Sequence, residues 1–242
     1  MKPCANHDPP NRKRQFGMTG KLRDVLYTSC PYAGLDASQY PDDLQGWGSD
    51  HAFLIAAIEK LRPKRIVEVG SWKGRSAINM ARAVRALELD CEIVCVDTWL
   101  GSPEHWLRAA PGWFESLATR NGYPQLYYTF LGNVLRHGFQ DIITPMPMTS
   151  ESAAFVLKHL GVTCDIAYVD AAHEYAPAKR DFVAYWDLLG ENAMLIGDDY
   201  ISWPGVTQAA NEFAQERGLR IVGEPGKFVI AKGACPAPGI GF

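Results

Sequence analysis

Two apolar runs that each stop at an aspartate constrain this chain most. Asp165-Ile166-Ala167-Tyr168-Val169 leads into Asp170, and Ala193-Met194-Leu195-Ile196-Gly197 leads into Asp198 and Asp199. Short apolar runs without polar alternation read as strands buried on both faces, the kind found in parallel sheets covered by helices on either side. In an open α/β sheet of that type, ligands bind in the crevice beyond the carboxyl ends of the strands. If the two strands are neighbours, Asp170, Asp198 and Asp199 emerge together there. Three carboxylates that close do not all ionise without a cation among them. Oxygen-only ligation of this kind suits a hard divalent ion such as Mg²⁺, Mn²⁺ or Ca²⁺.

The remaining elements alternate around that pair. Ser49 or Asp50 is placed to cap a helix whose apolar positions Phe53, Leu54, Ala57, Ile58 and Leu61 follow helical spacing up to Pro63. A strand over 65–69, a helix over 76–87 and a strand over 93–96 ending at Asp97 follow. The stretch 142–148 reads as an edge strand, because its two prolines cannot donate to a ladder on both sides. Helices are expected over 150–160, 178–189 and 206–217. The runs 219–222 and 227–231, joined by Gly223-Glu224-Pro225-Gly226, read as an antiparallel hairpin. The sum is a doubly wound, Rossmann-like α/β domain of seven strands, mostly parallel with an antiparallel last strand, and helices on both faces. It is expected over 46–233, after an N-terminal arm (1–45) that is partly disordered or laid over the core or a partner subunit, and before a tail at 234–242. Residues 98–141 exceed an ordinary crossover and carry Trp99, Trp106, Trp113, Phe114, Tyr123, Tyr127, Tyr128 and Phe130. They read as an aromatic cap at the sheet's carboxyl edge, with Glu104, His105 and Trp106 near its entry.

Composition narrows the function classes. A chain of 242 residues, 47% hydrophobic and 21% charged, supports one full core. Its net charge of -3 offers no basic face to nucleic acid, and Arg12-Lys13-Arg14 sits in a Pro-containing terminal segment that reads as solvated. No apolar run approaches the roughly 18 residues of a membrane span, and no secretory apolar region follows Met1, so a cytoplasmic protein is expected. Six cysteines without C-x2-C spacing are expected to be reduced. Cys91 and Cys95 share one strand face as small apolar residues.

The first strand carries a second motif, Glu68-Val69-Gly70-Ser71-Trp72-Lys73-Gly74-Arg75-Ser76. Glycines at 70 and 74 let strand turn into helix and bring backbone N–H groups to a ligand. The spacing is not the G-x-G-x-x-G of a dinucleotide site. Asp97, at the end of the next strand, is placed to accept both ribose hydroxyls of a nucleoside. His173, just beyond Asp170, is either a base held over the site or a cap of the next helix.

Together, the E-x-G-x-x-x-G strand end, the acidic end of the second strand, D-x-x-H-x-Y after the fourth and D-D-Y after the fifth resemble a class I S-adenosylmethionine-dependent methyltransferase. More narrowly, they are similar to metal-dependent sugar O-methyltransferases of macrolide tailoring and their cephalosporin-hydroxylase-like relatives. The resemblance runs from about Trp47 to Lys232. It implies that Glu68, Gly70 and Ser71 hold the methionine part of S-adenosylmethionine, and Asp97 the ribose. Met148, Thr149 or Ser150 would border the adenine, with Gly74, Ser76, Thr98 and Asp170 completing the cofactor site. Asp170, Asp198 and Asp199 would bind the metal, expected to be Mg²⁺, and His173, with Asp170 beside it, would serve the transfer as the group that takes the substrate proton. The implied acceptor is a small molecule, a sugar or other vicinal diol. A catechol-like phenol methyltransferase, a hydroxylase-like enzyme and a non-catalytic cofactor-binding partner protein are the alternatives, and a homo-oligomer is compatible with each.

Overall fold

Residues 21–234 are described by the computed structural model. Seven strands form one sheet: β1 Arg65–Val69, β2 Glu92–Asp97, β3 Ile143–Pro147, β4 Cys164–Val169, β5 Leu189–Tyr200, β6 Ile221–Glu224 and β7 Gly226–Lys232, in the order β3-β2-β1-β4-β5-β7-β6. The first five run parallel, and β7 is antiparallel to β5 and to β6. β3, with Pro145 and Pro147, pairs only with β2 and forms the edge that its prolines require.

The central strands are apolar at most positions because both faces are covered. Ile66, Ile93, Cys95, Ile166, Met194 and Ile196 point to one layer, and Val67, Val94, Val96, Ala167, Val169 and Leu195 to the other. The first layer contains helices α2 (Ala52–Leu61), α3 (Arg75–Ala86) and α5 (Leu126–Arg136); the second contains α6 (Ser150–His159), α7 (Tyr175–Trp186) and α8 (Pro204–Glu216). Single-turn helices α1 (Arg23–Leu26) and α4 (Pro103–Trp106) complete the set. Three details differ from the sequence expectation. His51, rather than Ser49 or Asp50, caps α2, its Nδ1 accepting from Phe53 N. α7 and α8 begin earlier than expected because Pro177 and Pro204 fall in their first turns, where a missing N–H costs nothing. α5 lies inside the aromatic insert, and its Leu126, Phe130, Leu131 and Val134 join the core.

Within the described part of the arm, residues 21–45 lie against the domain. Glu92, buried on β2, accepts from the backbone N–H groups of Leu22 and Arg23, and the hydroxyls of Tyr27 and Tyr32 donate to Pro145 O and Ile143 O on the edge strand. Arg12-Lys13-Arg14, Cys4, Cys235 and nearly all of the tail lie outside the described residues. Cys30, Cys91, Cys95 and Cys164 are free thiols.

The chain builds outward from β1 to β3 and then returns to β4 on the other side of β1, so the strand order reverses between β1 and β4. Crevices form at such a reversal. Here the two strand ends nearly touch: Asp170 N donates to Val69 O, and a Cβ on Gly70 would lie 1.8 Å from the Asp170 carbonyl oxygen. Gly70 also sits at φ +87°, a conformation that side chains disfavour. Gly70→Ala is therefore expected to lower stability by at least about 1–3 kcal/mol from backbone strain alone, and thermal melts at matched concentration check it.

Candidate functional site

A cavity of about 790 Å³ opens at the carboxyl edge, above the reversal between β1 and β4. Gly70, Ser71, Ser76, Asp97, Thr98, Met148, Thr149, Ser150, Asp170, His173, Asp198 and Asp199 all line it; Glu68 and Gly74 do not. Residues distant in the sequence are thus gathered on one surface.

The β1–α3 loop is held from three sides. Asp97 Oδ2 accepts from Ser71 N (3.0 Å) and Trp72 N (2.8 Å), and its Oδ1 accepts from Trp99 N (2.7 Å). Burial pushes the Asp97 carboxyl above its ordinary range, while these N–H groups pull it back. Asp97 is thus first a clasp between two loops; a carboxylate's further lone pairs remain for a ligand. Glu68, fully buried, accepts from Ser76 Oγ (2.5 Å) and Cys95 Sγ (3.3 Å), and burial raises its carboxyl too. From the arm, Asp43 and Gln45 accept from the buried Lys73 ammonium, and Gln45 also accepts from Trp72 Nε1. From α5, Asn133 Nδ2 donates to both Asp43 O and Lys73 O, and Phe130 fills the space that a side chain at Gly74 would need. One polar atom of this loop, Ser71 Oγ, is buried without a hydrogen-bond partner. A cradle of this shape with an unpaired hydroxyl fits a polar cofactor.

The acidic side of the cavity differs from the sequence expectation for Asp170, Asp198 and Asp199. Lys227, fully buried and opposite Asp198 in the β5–β7 register, donates to Asp198 Oδ2 (2.5 Å) and to Tyr168 Oη (2.9 Å). The Tyr168 hydroxyl lies 2.6 Å from Asp198 Oδ2 and 3.0 Å from Asp170 Oδ2. One phenolic proton cannot serve both carboxylates. Burial and the neighbouring Asp198 charge push the Asp170 carboxyl well above the usual range, against the pull of Lys227. Asp198 Oδ1 accepts from Asp199 N (2.8 Å). Asp199, at φ +60°, turns its own carboxylate away to His173 Nε2, 3.1 Å distant.

The chemistry of this donor set does not fit a divalent ion. An ammonium already pairs with Asp198, the Tyr168 hydroxyl lies between Asp170 and Asp198, and Asp199 is paired with an imidazole. Among the described residues no group of three or more His, Cys, Asp or Glu is arranged to hold a metal ion.

His173 does not cap α7, whose N-cap is Glu174. Its ring stacks on Trp203 (centroids 4.2 Å apart, planes at 9°). The Asp199 hydrogen bond, outweighing burial, raises its pKa above the ordinary imidazole value. Lys227, Trp203 and Asp181, whose carboxyl is pushed up to about 6 by burial beside the Ser150 hydroxyl, were not legible as site residues in the sequence. A lysine on an otherwise apolar strand was the one signal available. The aromatic insert divides: Trp99 and Phe130 are core, while Glu104, His105 and Trp113 line the cavity.

The family profile described as "Methyltransferase domain" matches residues 67–200. Among solved structures, the O-methyltransferase from Bacillus cereus in complex with SAH aligns with a TM-score of 0.55 at 14% identity, covering 81% of this chain and 86% of that one. The O-methyltransferase NovP aligns at 0.55 and 16% identity over 74% and 78%. The SAH-bound methyltransferase PaMTH1 of Podospora anserina aligns at 0.50 and 19% over 73% and 75%. At these identities the likeness is one of fold. A relative from Sinorhizobium fredii, the uncharacterized protein y4gI, is 26% identical over 188 residues; these cover 78% of this chain and 18% of that much longer protein.

Removing one partner of a buried ion pair leaves the other charged and alone, so Lys227→Met should cost about 3–5 kcal/mol of stability at pH 7. Lys227→Met combined with Asp198→Asn should recover much of that loss. Chemical denaturation of the two variants beside the wild type checks both.

Proposed function

The chain belongs to the methyltransferase-domain family, and we propose that it is an S-adenosylmethionine-dependent methyltransferase acting on an aliphatic hydroxyl of a sugar or other vicinal diol, with His173 as the base. The observation that carries this reading is the His173–Asp199 pair at the rim of the cofactor cradle, 3.1 Å apart. When Nε2–H donates to Asp199, the lone pair on Nδ1 is left to take a proton. A carboxylate so placed fixes the tautomer and steadies the imidazolium that forms, and the same pairing deprotonates an aliphatic serine hydroxyl in hydrolases. A phenol, with a pKa near ~10, needs such help less.

S-adenosylmethionine held in that cradle would supply the methyl group, with its neutral thioether as the leaving group. The remaining work belongs to the chain. Ser71, Asp97 and the β1–α3 loop would hold the donor; Trp203 fixes the plane of His173; His173 Nδ1 would take the proton of the acceptor hydroxyl. Most of the acceleration should come from alignment within a loop already immobilised by Asp97, Asp43 and Asn133. A divalent ion has no part in this reading, because Lys227 supplies the positive charge beside Asp198.

His173→Ala should lower kcat by about 10²–10⁴-fold while cofactor affinity, read by calorimetry, is retained; a variant within a few-fold of wild type removes the base assignment. The neutral imidazole is the active form, and its pKa is raised. The rate should therefore climb with pH through a midpoint above the ordinary value of about 6.5. Asp199→Asn removes the carboxylate that holds the proton and should move that midpoint down while reducing the plateau rate.

Turnover should also survive EDTA treatment followed by gel filtration. Loss of activity restored only by Mg²⁺ or Mn²⁺ would return the acidic residues to metal binding.

A further inference from the structure

The insert contributes a polar pair that the transfer step does not use. Glu104 and His105 belong to α4 and line the cavity. His105 is 8% exposed and lies between two indoles, 4.5 Å from the Trp72 ring and 5.3 Å from the Trp113 ring. Its tautomer is determined by its neighbour: Ser102 N, which can only donate, points at Nδ1 (3.3 Å), and the Ser102 hydroxyl lies 2.7 Å from the same nitrogen. The proton of the neutral ring is therefore on Nε2, and Nε2 is buried with no hydrogen-bond partner. Glu104 Oε2 is likewise buried and unpaired. An unpaired donor and an unpaired acceptor on adjacent residues are costly to keep, unless a ligand completes them.

One group satisfies both. An alcohol hydroxyl accepts from an N–H and donates to a carboxylate at once. Glu104 and His105 are also within electrostatic reach of His173 across the cavity, and the Glu104 charge helps hold the His173 proton. We propose that Glu104 and His105 bind a second hydroxyl of the acceptor, adjacent to the one presented to His173, and that this clamp selects a polyhydroxylated ring. The wall beside the clamp suits such a ring. Trp47, 57% exposed, stands 6.2 Å from Trp72 and 6.4 Å from Trp113, so the indoles give the C–H face of a pyranose an apolar surface beside the polar pair.

The inference rests on hydroxyl methylation as the reaction, and the test separates the two. Methyl glycosides of gluco, manno and galacto configuration, together with their monodeoxy analogues, are presented to the SAH-saturated protein in ligand-observed NMR and to the S-adenosylmethionine-loaded protein in radiolabelled methyl transfer. At least one parent glycoside should bind, and deletion of the hydroxyl next to the methylated position should weaken binding about ten-fold or more. His105→Phe, which keeps the aromatic stack, and Glu104→Ala should each abolish that difference between parent and deoxy sugar. Both should raise KM far more than they lower kcat, with SAH affinity intact as the check on folding. Binding with this hydroxyl dependence but no methyl transfer supports the clamp and removes hydroxyl methylation as the reaction. Equal binding of parent and deoxy sugars, unchanged discrimination in both variants, or no glycoside binding at all overturns the clamp.

Discussion

One buried ammonium sets the charge at the carboxyl edge of this sheet. Lys227 reaches Asp198 because the β5–β7 ladder places them opposite one another, and its proximity to Tyr168 ties β4 into the same network. A buried lysine is tolerable only with a charged partner and filled hydrogen bonds. Both are present, and they give the acidic residues separate partners: Asp198 is held by Lys227, Asp170 lies beside the Tyr168 hydroxyl, and Asp199 orients the His173 imidazole. Without the ammonium, the same three carboxylates would need an outside cation. With it, the chain supplies its own.

The cradle on the other side of the cavity depends on parts of the chain that lie outside the alternating strand–helix pattern. Asp97 clasps the β1–α3 and β2–α4 loops through three N–H groups, but the loop's Lys73 is held by Asp43 from the arm and by Asn133 from the insert. Rigidity is therefore assembled from three segments. That arrangement favours alignment of reacting atoms, since a loop already ordered by protein contacts loses little freedom when a ligand arrives.

The insert serves two layers at once. Trp99, Leu117, Leu126 and Phe130 extend the core beside α3, whereas Glu104, His105 and Trp113 face the cavity. The buried half anchors the lining half. A wall carried on packed helix and stacked indoles can hold hydrogen-bonding groups at fixed positions, which a free lid cannot.

The sequence by itself determined the layered sheet, because strands buried on both faces must be largely apolar and helices beside them must show a single apolar stripe; β1 and β4, the antiparallel β7 and the proline-limited edge at β3 follow from such local rules. It also put Gly70, Asp97, Asp170, Asp198 and Asp199 at the carboxyl edge, since each ends a strand or opens the turn after one. What those residues do there was decided by tertiary structure. The pairing of Lys227 with Asp198 depends on a register between strands separated by a whole helix, and the turning of Asp199 toward His173 depends on a left-handed residue that no pattern marks. Charge state is a property of neighbours in space. A list of carboxylates along a chain therefore cannot distinguish a metal site from a lysine-neutralised network, whereas a single buried Nζ at 2.5 Å can.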